Sequence, residues 1–387
     1  MHYLKVYSKF RVRKFMKLFK SLLIAPATLG LLAPMTATAN EVTISDFTPA
    51  EQLAITNSRV DGLEARMNNI EAGSFSETTT ASFGATFYAG IAYDDDGGND
   101  RDDNLSTGYD FGIDLTTSFT GEDSLDIEID AGNADAPGVA ELDGDTTTNE
   151  ALTVDEITYT FPLGEKTTVM IGDNNDASAL FTTACVYGGP SNTLDDCGNV
   201  NAGITNGGAM AGASYDFGNG FTAAIGYAGA ETGIMTLETT DAIGANVAYS
   251  ADNYGVSVTY GSIEAGTNGV KQNVYTALNG YYSFDSGLNV SAGYEYGDIG
   301  GNAANADESI NYFVGVNGEV GTGELGAALG TAGGQLENQT EELMYEAYYS
   351  YPVNDGMTVT PLIYIKEKAT AGTPDETGVM VKTSFSF

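Results

Sequence analysis

Asp110 and Asp114, then Asp126, Glu128 and Asp130, alternate with Tyr109, Phe111, Ile113 and Leu115 and with Leu125, Ile127 and Ile129. Period-two alternation sends the two sets to opposite faces of a pleated strand, one apolar and one acidic. Carboxylates ranked along one wet wall favour cations over anions. Asp173 and Asp176, at the start of the longest polar stretch, are further lumen or constriction candidates, and Lys366 and Lys382 are the two cations clearly on inward strand faces. Cys185 and Cys197 lie close together within one long polar stretch, in a chain that carries an export signal, and are expected to form a disulfide. The run Asp94 to Asp103 is dense enough in carboxylates to hold Ca²⁺ weakly, but it lacks the spaced ligands of an EF-hand loop. No other metal or cofactor is expected.

Composition narrows the chemistry further. The single histidine, His2, lies in a leader expected to be removed, so the mature chain has no Ser-His-Asp or Cys-His pair and no imidazole ligand. No enzyme activity is expected. Seven of the 15 basic residues precede Ala39, which leaves eight against 53 acidic ones. A chain so acidic does not hold nucleic acid through its phosphates. With 49 Gly, 23 Tyr and 17 Phe it is too rich in aromatics for disorder, and the balance points to an all-β protein.

A wall of carboxylates needs strands to carry it, and the chain supplies them in order. Residues 1–39 read as a secretory signal peptide, with Met16 as the expected start. Lys17 to Lys20 is a basic head, Ser21 to Met35 an apolar run broken by Pro26, Gly30 and Pro34, and Ala37-Thr38-Ala39 the small-residue cleavage pattern. Residues 40–74 are a polar lead-in followed by a short heptad helix. From 75 to 387, tight Gly/Asn/Asp turns flanked by aromatics recur at 214–222, 249–256, 282–290 and 349–359, with similar turns at 120–123, 162–166 and 321–324. Longer polar loops fall between them. Short turns on one rim and long loops on the other, with about 16 strands, describe a transmembrane antiparallel β-barrel whose lumen is an aqueous channel. Its lumen or constriction candidates are the acidic and basic residues named above. A change of phase near 154–157 predicts a bulge.

The last strand completes the pattern. Val379, Val381, Thr383, Phe385 and Phe387 share one face, and Gly378, Met380, Lys382, Ser384 and Ser386 the other. This ending resembles the terminal-aromatic signature of outer-membrane barrels, which implies that Phe385 and Phe387 address the strand to the barrel assembly machinery. In the heptad helix, Arg59-Val60-Asp61-Gly62-Leu63-Glu64 and Arg66-Met67-Asn68-Asn69-Ile70-Glu71 repeat one pattern. It resembles the signature of three-stranded parallel coiled coils and implies a homotrimer stalk in the periplasm; the alternative is an amphipathic helix lying on its own barrel.

Met16-Lys17-Leu18-Phe19, the Leu22-to-Pro26 and Leu29-to-Pro34 segments and Arg59-to-Ala65 resemble the outer-membrane porins of cyanobacteria, in particular the marine picocyanobacterial type. Those porins usually carry a surface-layer-homology domain between signal and coil; here residues 40–49 leave no room for it, so anchoring to the cell wall is not carried over. The resemblance implies a passive outer-membrane channel for ions and small hydrophilic solutes. Its loop after the fifth strand, 175–208, resembles the porin loop that folds into the channel and narrows it; the alternative is a surface loop stapled against proteases. General porins set a cluster of Arg opposite that loop, whereas after residue 75 this chain has only Arg101, in an acidic loop. A mild cation preference follows. The rival reading is a non-conducting surface barrel, structural or adhesive. A gated siderophore or vitamin receptor would need a longer chain.

Overall fold

The computed structural model describes residues 78–93, 104–134, 138–142, 144, 150–205, 207–236, 239–264, 271–300, 306–368 and 374–387. The signal peptide, the heptad helix with its Arg and Glu residues, and the acidic run Asp94 to Asp103 lie outside them.

Alternating sequence becomes strand in chain order: β1 (Thr79–Tyr93), β2 (Ser106–Thr117), β3 (Ser124–Gly132), β4 (Thr153–Pro162), β5 (Thr167–Asp173), β6 (Ala209–Gly218), β7 (Phe221–Gly229), β8 (Asp241–Ser250) and β9 (Tyr254–Ile263). There follow β10 (Asn273–Ser283), β11 (Leu288–Asp298), β12 (Glu308–Val320), β13 (Gly323–Thr331), the two-residue β14 (Gln335–Leu336), β15 (Leu343–Asn354), β16 (Met357–Lys366) and β17 (Glu376–Ser386). β14 is a short addition to β12. The other sixteen strands pair antiparallel with their neighbours, and β1 pairs with β17, so the sheet closes on itself. Tyr88 lies opposite Lys382 and Ile91 opposite Val379 across this seam. Phe83 and Phe387 exchange backbone hydrogen bonds of 3.0 Å in both directions. Closure leaves no strand edge to recruit another chain.

The seven tight turns all join neighbouring strands at one rim. Rings cluster beside them: Phe119 with Tyr159, Tyr215 with Phe217, Phe221 with Tyr249, Tyr282 with Phe284, Tyr349 with Tyr351, and Phe83 stacked on Phe387 at 5.9 Å. Such a collar is the interfacial girdle expected of a barrel whose outer face meets lipid. The expected bulge is present: Ile127 pairs with Ile157 and Ile129 with Val154, so Asp155 is the extra residue. It restores the inward phase of Glu156.

The apolar parity faces outward. Phe87, Ile225, Ile243, Ile363 and Val379 are all more than half exposed, while Met380, Leu362 and Tyr364 on the opposite parity are at most 2% exposed. A soluble sheet would invert this. The inward side is not all polar, however, because two loops enter the barrel and pack against it.

Candidate functional site

The long β5–β6 loop lies inside the barrel over 174–205, and its hydrogen bonds trace its path. Asn175 Nδ2 donates to Thr158 Oγ1 on β4 (2.9 Å). Three alternate amides are then caught by wall side chains: Thr182 N–H by Asn246 Oδ1 of β8 (3.0 Å), Ala184 N–H by Ser257 Oγ of β9 (2.9 Å) and Val186 N–H by Ser291 Oγ of β11 (3.1 Å). The wall side chains serve this segment as a partner strand would, satisfying buried and part-buried backbone groups. Tyr187 continues across, its hydroxyl donating to Glu346 Oε1 of β15 (2.6 Å).

The return leg is held as firmly. The 191–198 turn ends with Cys197 and Gly198 at positive φ, and Cys185 and Cys197 are joined, their Cα atoms 6.4 Å apart. Asn279 Nδ2 of β10 donates to the Cys197 carbonyl (2.9 Å). Gly293 of β11 faces that same carbonyl, and a Cβ there would overlap it. Only glycine permits the approach. Next, the Glu295 carboxylate of β11 accepts from Asn201 N–H and Ala202 N–H (2.7 Å each), Asn201 Nδ2 (2.8 Å) and Asn311 Nδ2 (2.9 Å). Glu295 is fully buried. A buried carboxylate is tolerable when its lone pairs are met this way.

A second loop, between β3 and β4, joins the first. Its Ala134, Val139 and Leu142 are fully buried in one cluster with Tyr187, Leu194 and Cys197 of the first loop and with wall residues Tyr88, Phe313, Met344, Tyr348, Leu362, Tyr364 and Met380. Part of the barrel interior is therefore a hydrophobic core.

The wall formed by β1 to β4 is different in kind. Asp114 lies directly opposite Glu128, and Glu128 directly opposite Glu156. The oxygens of Glu128, Asp130 and Asp155 lie within 4.8 Å of one another. Ser82 Oγ donates to Asp114 (3.1 Å), Thr116 Oγ1 to Asp126 (2.8 Å), and the Tyr88 hydroxyl to Asp110. Like charges directly across a strand pair are destabilising. They are tolerated where water and mobile cations can screen them.

Of the sequence candidates, Asp110, Asp114, Asp126, Glu128 and Asp130 fall on one inner face, and Lys382 sits over the Tyr88 ring, 5.7 Å from its centroid. Three candidates do not line the carboxylate wall, and the first corrects the sequence reading. Asp173 takes the outward parity of Ile171 at the end of β5, because Met170 and Gly172 occupy the inward positions. Asp176 belongs to the loop and is buried there. Lys366 does point inward, yet its charge is consumed by an ion pair with Glu141 (2.5 Å). Sequence reasoning missed Glu156, whose phase the bulge hides, and the ligands Asn246, Ser257, Asn279, Ser291, Glu295 and Glu346. Their inward parity was readable, as in Ser291-x-Gly293-x-Glu295-x-Gly297. Their partners were not.

No protein-family model matches the chain. An uncharacterized protein of Nostoc sp. is 26% identical over 435 residues, spanning 91% of this chain and 74% of that protein. Among solved structures, OprB of Pseudomonas putida is similar with a TM-score of 0.62 at 12% identity, over 80% of this chain and 94% of that one. An anion-selective porin from Comamonas acidovorans gives 0.59 at 16% identity, over 80% and 100%. A variant of the Rh. blastica porin gives 0.54 at 15% identity over the same shares. At these identities the likeness is one of fold: a sixteen-stranded barrel of the porin kind.

Proposed function

We propose that this chain is an outer-membrane porin, a passive water-filled channel for ions and small hydrophilic solutes that prefers cations. The observation that carries the reading is the asymmetric interior: one loop is held from Thr158 on β4 round to Lys366 on β16 and narrows the barrel, and the inner face of β2, β3 and the start of β4 carries Asp110, Asp114, Asp126, Glu128, Asp130 and Glu156. Among the described residues, Lys366 is spent on Glu141, Lys368 is paired with Glu376, and Lys382 is packed over Tyr88. Field lines from the carboxylate wall then enrich cations in the narrowed passage. The fold does not dictate this preference, since an anion-selective porin shares it. Export by a signal peptide, delivery to the assembly machinery through Phe385 and Phe387, and a trimer tied by a periplasmic stalk at Arg59 to Glu71 belong to the same proposal. No catalytic role is assigned.

The apolar cluster inside the barrel favours a second reading, a non-conducting surface barrel. One measurement separates them. Purified, refolded protein in a planar bilayer under a KCl gradient is expected to conduct, with a reversal potential of the sign for K⁺ over Cl⁻. Absence of conductance favours the second reading, and clear anion preference overturns the cation assignment.

A further inference from the structure

Two loops and one strand meet at Lys366. Its Nζ donates to Glu141 Oε1 (2.5 Å) and to Thr193 Oγ1 (3.1 Å), and Thr193 Oγ1 donates in turn to Glu141 Oε2 (2.7 Å). The backbone repeats the link, since Asn192 N–H donates to the Glu141 carbonyl (3.0 Å). Glu141 stands in a short 3-10 turn, Ala140–Leu142, on the β3–β4 loop; Thr193 is on the β5–β6 loop; Lys366 ends β16. The Glu141 side chain is 11% exposed and that of Lys366 23%. Val139 and Leu142 flank Glu141, Leu194 follows Thr193, and all three are buried in the interior cluster.

We infer that Lys366 is a positioning residue for the constriction: it fixes both loops to the β16 wall and so sets the width of the passage, rather than lining the passage as a free cation. The inference rests on the porin reading. The physical reason is the cost of separation. With Lys366 removed, Glu141, largely buried and near the Glu346 carboxylate, keeps its charge with one hydroxyl donor, and a buried charge without its partner drives the segment toward water. With both partners replaced by apolar side chains that cost disappears, and the cluster can close over them.

The test is a double-mutant cycle, Lys366→Met, Glu141→Met and the pair together, with Lys366→Arg as the conservative variant. Each is first checked for intact barrel by its heat-modifiable migration in gels. The size cut-off for neutral polyethylene glycols in bilayer recordings should rise in both single variants and return toward the parent in the double variant and in Lys366→Arg. Hydrogen exchange of the 191–197 amides should accelerate by about tenfold in the single variants and recover in the double. Exchange does not need conduction, so it reads the junction even if the parent barrel proves closed. A lining cation would instead give shifts of reversal potential that are opposite in the two single variants and additive in the pair, with unchanged cut-off and exchange. That outcome would overturn the inference.

Discussion

The inner faces of β8 to β12 and of β2 to β4 are built from the same inward parity but do opposite things. On β8 to β12, Asn246, Ser257, Asn279, Ser291 and Glu295 are each at most 2% exposed, and each meets a loop backbone atom. On β2 to β4, Asp114, Glu128 and Glu156 meet one another across the ladder. An inward polar residue on a barrel is thus either a ligand for an inserted loop or part of the pore surface. What lies opposite decides which. The difference matters energetically, because a matched buried group rigidifies whereas a row of like charges needs water and cations beside it.

The comparison breaks most sharply at Glu295. Replacing it with Ala strands Asn201 N–H, Ala202 N–H and two amide side chains, at a cost to the docked loop of about 3–5 kcal/mol. Hydrogen exchange at 199–203 should rise to that extent while the carboxylate wall keeps its ion preference. Opening the disulfide with a Cys185→Ala/Cys197→Ala pair should cost the same loop about 3 kcal/mol, given the 12-residue separation. Thermal melts of the loop by exchange would show it, with barrel melting unchanged.

The opposite wall should answer in selectivity instead of stability. Asp114→Asn, Glu128→Gln and Glu156→Gln should each lower the K⁺/Cl⁻ permeability ratio by roughly twofold at low salt, and less at high salt. Loop protection should not change. If any of the three alters loop exchange as Glu295→Ala does, the two walls are not distinct.

The smallest effect concerns the turn below that wall. Asp123 accepts from the N–H groups of Phe119 (2.9 Å) and Thr120 (2.8 Å), from the Ser118 and Thr120 hydroxyls, and from Tyr159 (2.7 Å). Partial burial pushes its carboxyl up, but the donors at Thr120, Tyr159 and Ser118 outweigh that and hold it well below the usual carboxylate range. A pKa depressed on folding gives stability that is complete above the unfolded value, about 3.9, and is lost as pH falls through the folded value. The β2–β3 turn should therefore be indifferent to pH from 7 to about 4 and loosen only below it. Asp123→Asn should remove that acid dependence in pH-resolved exchange of residues 118–124.

The sequence by itself determined about sixteen strands, the seven tight turns, a bulge near 154–157 and the face of most strand side chains. These follow from period-two alternation and turn chemistry, which are local properties of covalent geometry. It also paired Cys185 with Cys197, the only candidates. The path of the β5–β6 loop was left open between lumen and surface, and only the tertiary structure resolved it. Tyr187 finds Glu346 at a separation of 159 residues, and Lys366 finds Glu141 at 225. Alternation tells a side chain which way to point; closure of the barrel decides what it meets there. Lys366 and Glu128 both point inward, yet one is bound in a junction of two loops and the other lies between the carboxylates of its neighbouring strands, because the tertiary structure sets a loop against the first and strand acids against the second.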